Sequence, residues 1–200
     1  MSDRDSVRAA AIRAKQAARR VATLPTATKN AVLRTLAELL RSERDALARA
    51  NAADMTEARE AGLPEAKRRR LELTPSAVDQ IAAGVDQVAA LPDPVGVVTR
   101  DDTVESGLRV RKVRTPLGVI AMIYEARPGV TVDAFALCFK SGNACLLKGG
   151  REAANSNELL CGLAHRALAA HGCPEHAIGL VTTSDREEIK LMLTLTDSID

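Results

Sequence analysis

LGVIAMIYEARPGVTVDAFALCFKSGNACLLKGGRE, residues 117–152, is the stretch whose reading decides the fold. LGVIAMIY (117–124) is a continuous apolar run of the buried-strand type. From Thr131 to Lys140 the period changes, and Val132, Phe135, Ala136 and Phe139 fall together as in a short helix. Ser141-Gly142-Asn143 reads as a turn, and ACLLK (144–148) as a second buried strand. Downstream, residues 151–170 form a helical pattern with Leu159, Leu160, Leu163 and Leu168, ended by Gly172 and Pro174. Ala177 to Thr182 gives a third strand, and Ser184 or Asp185 is placed to cap a further helix running through Leu195. Three strand–helix units in series imply an α/β fold with a parallel sheet and crossover helices.

Working back toward the start, residues 1–92 read as a helical block. Val7, Ala10, Ala11, Ala14, Ala18 and Val21 recur at helical spacing until Leu24-Pro25 breaks the pattern. Thr28 is the expected N-cap of the next helix, with Val32, Leu33, Leu36, Leu39, Leu40 and Leu47 on one face. Gly62 and Pro64 punctuate again, and Lys67–Arg70 reads as a solvated helix face. Thr74-Pro75 has the form of an N-cap followed by Pro at the first helical position, with Val78, Ile81, Val85 and Val88 as the apolar stripe behind it. Leu91-Pro92-Asp93-Pro94 closes the block, because two prolines in three residues cannot continue a helix. Residues 93–116 are then a linker in which GLRVRKVRTP (107–116) predicts a strand or hairpin with one solvated face. Residues 117–200 carry the strand–helix units.

Composition narrows the function classes. The chain has 200 residues, enough for one or two units with a real core. Aromatics make up 2%, so the core is built from Ala, Val, Leu and Ile. Net charge is +2, split between a basic front (residues 1–70) and an acidic remainder. The arginines lie along helices with no aromatic interleaving, which favours solvated helix faces over a nucleic-acid surface. There is no run of about 18 apolar residues to span a membrane, and Arg and Lys interrupt the first apolar residues, unlike a secretory leader. Cys138, Cys145, Cys161 and Cys173 form no CxxC and are expected to be reduced thiols of a cytoplasmic protein. Cys145 on a strand and Cys138 on a helix face read as inert packing residues, and His165, His171 and His176 show no metal-ligand spacing.

Ligands of open parallel sheets bind at the carboxyl ends of the strands, so two loops carry the candidate chemistry. The first is YEARPG, Tyr124 to Gly129. Arg127 suits a phosphate or carboxylate through its rigid fork; a local Glu125–Arg127 ion pair explains the same residues equally well. The second is KGGRE, Lys148 to Glu152. Gly149 and Gly150 let a backbone approach a ligand, Lys148 and Arg151 supply charge, and the following helix N-terminus is expected to offer unpaired N–H groups to a phosphate. A plain strand-to-helix turn is the competing reading. The loop is neither a P-loop nor GxGxxG.

The stretch RTPLGVIAMIYEARPGVTVDAFALCFKSGNACLLKGGREAANSN (114–157) closely resembles the gamma-glutamyl phosphate reductase (glutamate-5-semialdehyde dehydrogenase) family of the aldehyde dehydrogenase superfamily. DPVG (93–96), SGLR (106–109) and NAADMTEAREAGL (51–63) resemble it too. The resemblance implies a Rossmann-like cofactor domain beginning at residue 117, with residues 93–116 containing an oligomerisation arm and the catalytic domain lying beyond Asp200. It implies NADPH-dependent reduction of L-glutamyl 5-phosphate to L-glutamate 5-semialdehyde and phosphate, a step toward proline, through attack of a cysteine thiolate on the acyl phosphate. The partners implied are the small-molecule substrate and further copies of the chain, not nucleic acid or membrane. By position, Lys148 matches the lysine that bonds the adenosine ribose, with Gly149, Gly150 and Arg151 as its loop and Arg151 as a partner for the 2′-phosphate. Tyr124, Glu125, Arg127 and Pro128 match the loop near the nicotinamide and substrate. No nucleophilic cysteine is expected among these 200 residues, which makes a non-catalytic nucleotide-binding or interaction module the alternative. Gly129 stands where the family has Asn, which removes an amide donor.

Overall fold

The computed structural model describes residues 3–183 and 185–200. Five helices come first: α1 (Asp3–Val21), α2 (Thr26–Ser42), α3 (Arg44–Glu60), α4 (Glu65–Leu71) and α5 (Pro75–Ala90). An antiparallel hairpin of β1 (Val98–Thr103) and β2 (Arg109–Val113) follows. Then come β3 (Val119–Ile123), α6 (Gly129–Lys140), β4 (Ala144–Lys148), a 3-10 turn (Arg151–Ala153), α7 (Ala154–Ala170), β5 (Ile178–Leu180) and α8 (Arg186–Met192). The sheet runs β3-β4-β5, all parallel, with Val119 opposite Ala144 and Cys145 opposite Ile178. The expected α/β architecture is present.

Side-chain alternation splits the sheet between two cores. Ala144 and Leu146 of β4 face one way, with Val119, Val7, Ala11, Ala14 and Met192, so α1 and α8 cover that side. Cys145 and Leu147 face the other, with Phe135, Phe139, Leu160 and Leu163 of α6 and α7. Leu33, Leu36, Leu40, Val78, Ala82 and Val85 of α2 and α5 join that second core. The helical block and the sheet therefore share their packing, and residue 92 lies just past the end of α5. Each fully buried Leu or Val contributes roughly 1.5–3 kcal/mol before entropy is counted. With two aromatic rings stacked at 5.3 Å, Phe135 and Phe139, the core is otherwise aliphatic, as composition required.

Several local expectations need correction. Thr28 does not cap α2; the helix starts at Thr26 behind Pro25, whose φ is already suited to the entry. Thr74 does cap α5, accepting from the Ala77 N–H with Pro75 behind it. The hairpin has no buried face: every residue of β2 is exposed. LGVIAMIY is buried at Val119 alone, because β3 flanks the sheet and Ile123 is 50% exposed; β4 is the strand buried along its whole length. The last helix stops at Met192, short of Leu195; Asp185 caps it through the Glu187 N–H, and Ser184 lies outside the described residues. Gly142 ends α6 at φ +81°, where a Cβ would also collide with Pro116, so the return into β4 requires glycine.

Two buried lysines hold the linker to this frame. Lys29 is 1% exposed; its Nζ lies 2.5 Å from Asp93 and donates to the Lys140 carbonyl at 3.2 Å. Lys140 in turn donates to the Ala89 carbonyl at 2.9 Å and to Asn30. Each lysine thus satisfies a carbonyl at the C-terminal end of a neighbouring helix, where positive charge is favoured.

Candidate functional site

The carboxyl ends of β4 and β5 open onto a pocket of about 180 Å³. Lys148, Gly149, Gly150 and Arg151 form one wall, Ala154, Asn157 and Glu158 of α7 a second, and Leu180, Val181 and Thr182 the third. The four residues of the second loop are thus brought together on one cavity. Lys148 is buried and donates from Nζ to the Gly149 carbonyl at 2.6 Å. Burial lowers its pKa, and the neighbouring Glu152 carboxylate works against that shift. Arg151 is exposed at the rim and forms no ion pair among the described residues.

Gly149 is required by contact. A Cβ there would collide with Asn157 Nδ2 and come 3.1 Å from the Tyr124 ring. At Gly150 a Cβ would meet only the carboxyl end of Glu152, which can swing away.

The expectation that the following helix offers unpaired N–H groups is not met in its first α-turn. Asp54, a buried residue of α3, reaches across and accepts from the Asn155 N–H at 3.0 Å, the Ser156 N–H at 2.9 Å, Asn155 Nδ2 at 2.9 Å and Ser156 Oγ at 2.5 Å. A protein carboxylate therefore occupies the positive end of α7. Asn51, one turn earlier on α3, donates to Ser156 Oγ and to the Leu71 carbonyl and accepts from the Leu73 N–H. The positive charges lining the pocket are those of the Lys148 and Arg151 side chains.

The first loop divides. Tyr124 is half-buried, and its hydroxyl lies 2.6 Å from Thr131 Oγ1. Burial pushes the phenol up to about 12, so it stays protonated at neutral pH. Pro128 is buried at the start of α6, while Glu125 and Arg127 are exposed and form no ion pair with each other among the described residues. The Arg127 N–H donates to the Glu125 carbonyl, a backbone turn that sets the loop's shape. Glu125, Arg127 and Pro128 do not line the β4–β5 pocket. Gly129 packs against Ile81, where a Cβ would sit 3.0 Å from Cδ1.

Sequence reasoning missed Asp54, Thr131 and Asn157. Asp54 and Asn51 had a readable signal: Leu47, Asn51, Asp54 and Ala58 lie on one inward stripe of α3, so two polar residues sit where apolar ones belong. The four thiols are all buried and unpaired. Burial raises Cys161 to about 12 and also raises Cys173, and the Cys138 thiol together with burial raises Cys145, so these are poor thiolates.

The gamma-glutamyl phosphate reductase of Moorella thermoacetica is 49% identical over 188 residues, which is 94% of this chain and 45% of that protein. The gamma-glutamyl phosphate reductase of Rhodospirillum rubrum is 48% identical over 192 residues, 94% of this chain and 44% of its own length. The crystal structure of the Thermotoga maritima gamma-glutamyl phosphate reductase superposes with a TM-score of 0.93 at 34% identity, covering 98% of this chain and 47% of that one. The chain thus spans about half the length of the relatives it matches. A probable aldehyde dehydrogenase from Listeria monocytogenes, 16% identical at a TM-score of 0.75, shares the fold. The sequence profile of the aldehyde dehydrogenase family matches residues 1–198, and the chain belongs to that family.

Proposed function

We propose that this chain is the nucleotide-binding part of an NADPH-dependent reductase that converts L-glutamyl 5-phosphate to L-glutamate 5-semialdehyde and phosphate, in the cytoplasm, on the route to proline. The observation that carries the reading is the β4–β5 pocket, where Lys148 and Arg151 flank a glycine that contact forbids replacing. Its chemistry fits one end of the cofactor: two cations for ribose and 2′-phosphate oxygens, and Leu180 and Val181 as an apolar floor for a base. Its volume, about 180 Å³, is below the roughly 300 Å³ of a pocket that encloses a whole drug-sized ligand, so it takes the adenosine end alone.

When bound, NADPH supplies the hydride for the reduction. Lys148, steadied by its own loop carbonyl, bonds the ribose, and Arg151 pairs with the 2′-phosphate. The Tyr124–Pro128 loop leaves the neighbouring strand on the same side of the sheet, toward the nicotinamide and the substrate. No thiol of this chain acts as nucleophile; burial of Cys138, Cys145, Cys161 and Cys173 supports that assignment. The exposed β1–β2 hairpin, with Leu108 at 64% and Val110 at 45% exposure, is suited to an arm that joins copies of the chain.

Titration of the purified chain with NADPH and NADH tests the reading. NADPH should bind, and Arg151→Glu should weaken it by about tenfold or more, about 1.4 kcal/mol, while leaving NADH nearly unchanged. Equal loss for both nucleotides would remove the 2′-phosphate role from Arg151. Incubation with the acyl phosphate should trap no adduct on any of the four cysteines and give no turnover.

A further inference from the structure

Three side chains tie the first loop to the pocket of the second. The Tyr124 hydroxyl lies 2.6 Å from Thr131 Oγ1, and Thr131 Oγ1 donates to Asn157 Oδ1 at 2.9 Å. Thr131 has a single hydroxyl hydrogen, and Asn157 takes it. Tyr124 must therefore be the donor of the first bond, so the polarity of the whole chain is fixed. With Oδ1 held by Thr131, the Asn157 amide cannot flip. Its other end, Nδ2, points to Gly149, close enough that a Cβ there would collide with it. Asn157 is 2% exposed and lines the pocket, and the hydrogen bond it makes among the described residues is through Oδ1, not Nδ2. Nδ2 is not among the sealed, unpartnered polar atoms of the described residues, so it keeps access to the pocket and can donate to an acceptor placed there.

We propose that Tyr124, Thr131 and Asn157 form a polarised relay that aims the Asn157 amide N–H into the β4–β5 pocket, where it donates to a ribose or phosphate oxygen of the nucleotide. Asn157 is then a ligand-contacting residue, and Thr131 and Tyr124 are positioning residues. The inference rests on reading the pocket as a nucleotide site. It also gives the loop after β3 a mechanical link to the cofactor: the Tyr124 ring packs against Gly149 while its hydroxyl sets the amide. A change in the first loop is thereby felt at the second.

The test is NADPH titration of the full chain, read by nicotinamide fluorescence, with thermal melting in parallel. Asn157→Asp, which replaces the donor with an acceptor, should weaken binding by more than about tenfold. Thr131→Val should weaken it by about fivefold to tenfold, and Thr131→Ser, which keeps the hydroxyl, should restore it to within about twofold. Tyr124→Phe should cost about threefold alone and nothing further on top of Thr131→Val, because the two act through one amide. Tyr124→Phe removes only a hydroxyl at the edge of the core and carries the test if Thr131→Val does not fold. A relay that merely stiffens the fold would lower the melting temperature without this ordering. If NADPH binds, responds to Arg151→Glu, and is indifferent to Asn157→Asp and Tyr124→Phe, the relay is wrong and the nucleotide reading stands. If the unaltered chain binds no NADPH at all, both fall.

Discussion

β2 and β4 are both five residues long, yet every residue of β2 is exposed and every residue of β4 is buried. Both are hydrogen-bonded to a neighbouring strand, so the ladder does not make the difference. β4 lies between two strands and between two helical layers, and each alternate side chain meets a core. β2 has one partner, β1, and no layer on either face. Its cohesion is the ladder and the bidentate pair of Arg109 with Asp101. Open to solvent, that pair is a screened contact of little weight. Position in the layers, not strand character, decides which segment carries stability.

The sharpest way to break this contrast is to cut into β4. Leu147→Ala should cost about 3 kcal/mol, transfer and cavity together, by chemical denaturation. A loss below about 1 kcal/mol would mean that the sheet is not the stability centre. Next in size is the clamp on the loop that follows β4. Asp54→Ala leaves two backbone N–H groups and a buried hydroxyl without their acceptor and should cost on the order of 2 kcal/mol. It should also speed hydrogen exchange of Asn155 and Ser156, and unchanged exchange there would refute the clamp.

The linker between α5 and β1 gives a smaller, pH-dependent effect. Burial raises the Asp93 carboxyl, but Lys29, Thr26 and the Val95 N–H more than offset it, and its pKa lies below the ordinary 3.8. A folded-state pKa below the unfolded one stabilises the protein above that ordinary value. The contribution is lost as pH falls through the folded pKa. Asp93→Asn should therefore flatten the acid limb of stability below about pH 4, measured as urea midpoints from neutral pH downward; parallel limbs would remove Asp93 from the account. The smallest effect belongs to the hairpin. Val110→Thr should change stability by less than about 0.5 kcal/mol in dilute solution. A larger, concentration-dependent change would show that β2 is covered when copies of the chain meet.

The same contrast explains what could be read in advance. ACLLK and the α6 pattern were legible because burial on every side leaves a continuous apolar signature. Thr74 was legible because a cap and its helix are neighbours in sequence. β1, VTRDDT, was invisible because a strand with no buried face has no reason to alternate. The loop Lys148–Arg151 could be placed, since it follows a readable strand. The state of the helix behind it could not, because Asp54 lies 101 residues before Asn155 and no local rule links them. Whether Glu125 and Arg127 pair was visible only in three dimensions, where both side chains lie in solvent without an ion pair between them among the described residues. Asn51 and Asp54 were the one long-range clue on view, a polar pair inside an apolar stripe.

The carboxylate seated on α7 has a further consequence. With the helix end already neutralised from within, the proposed distinction between a phosphorylated and an unphosphorylated ribose rests on side-chain cations, not on a fixed backbone cradle. Such recognition weakens with ionic strength. On that proposal it can also be retuned at one rim residue, Arg151, while the scaffold beneath stays as it is.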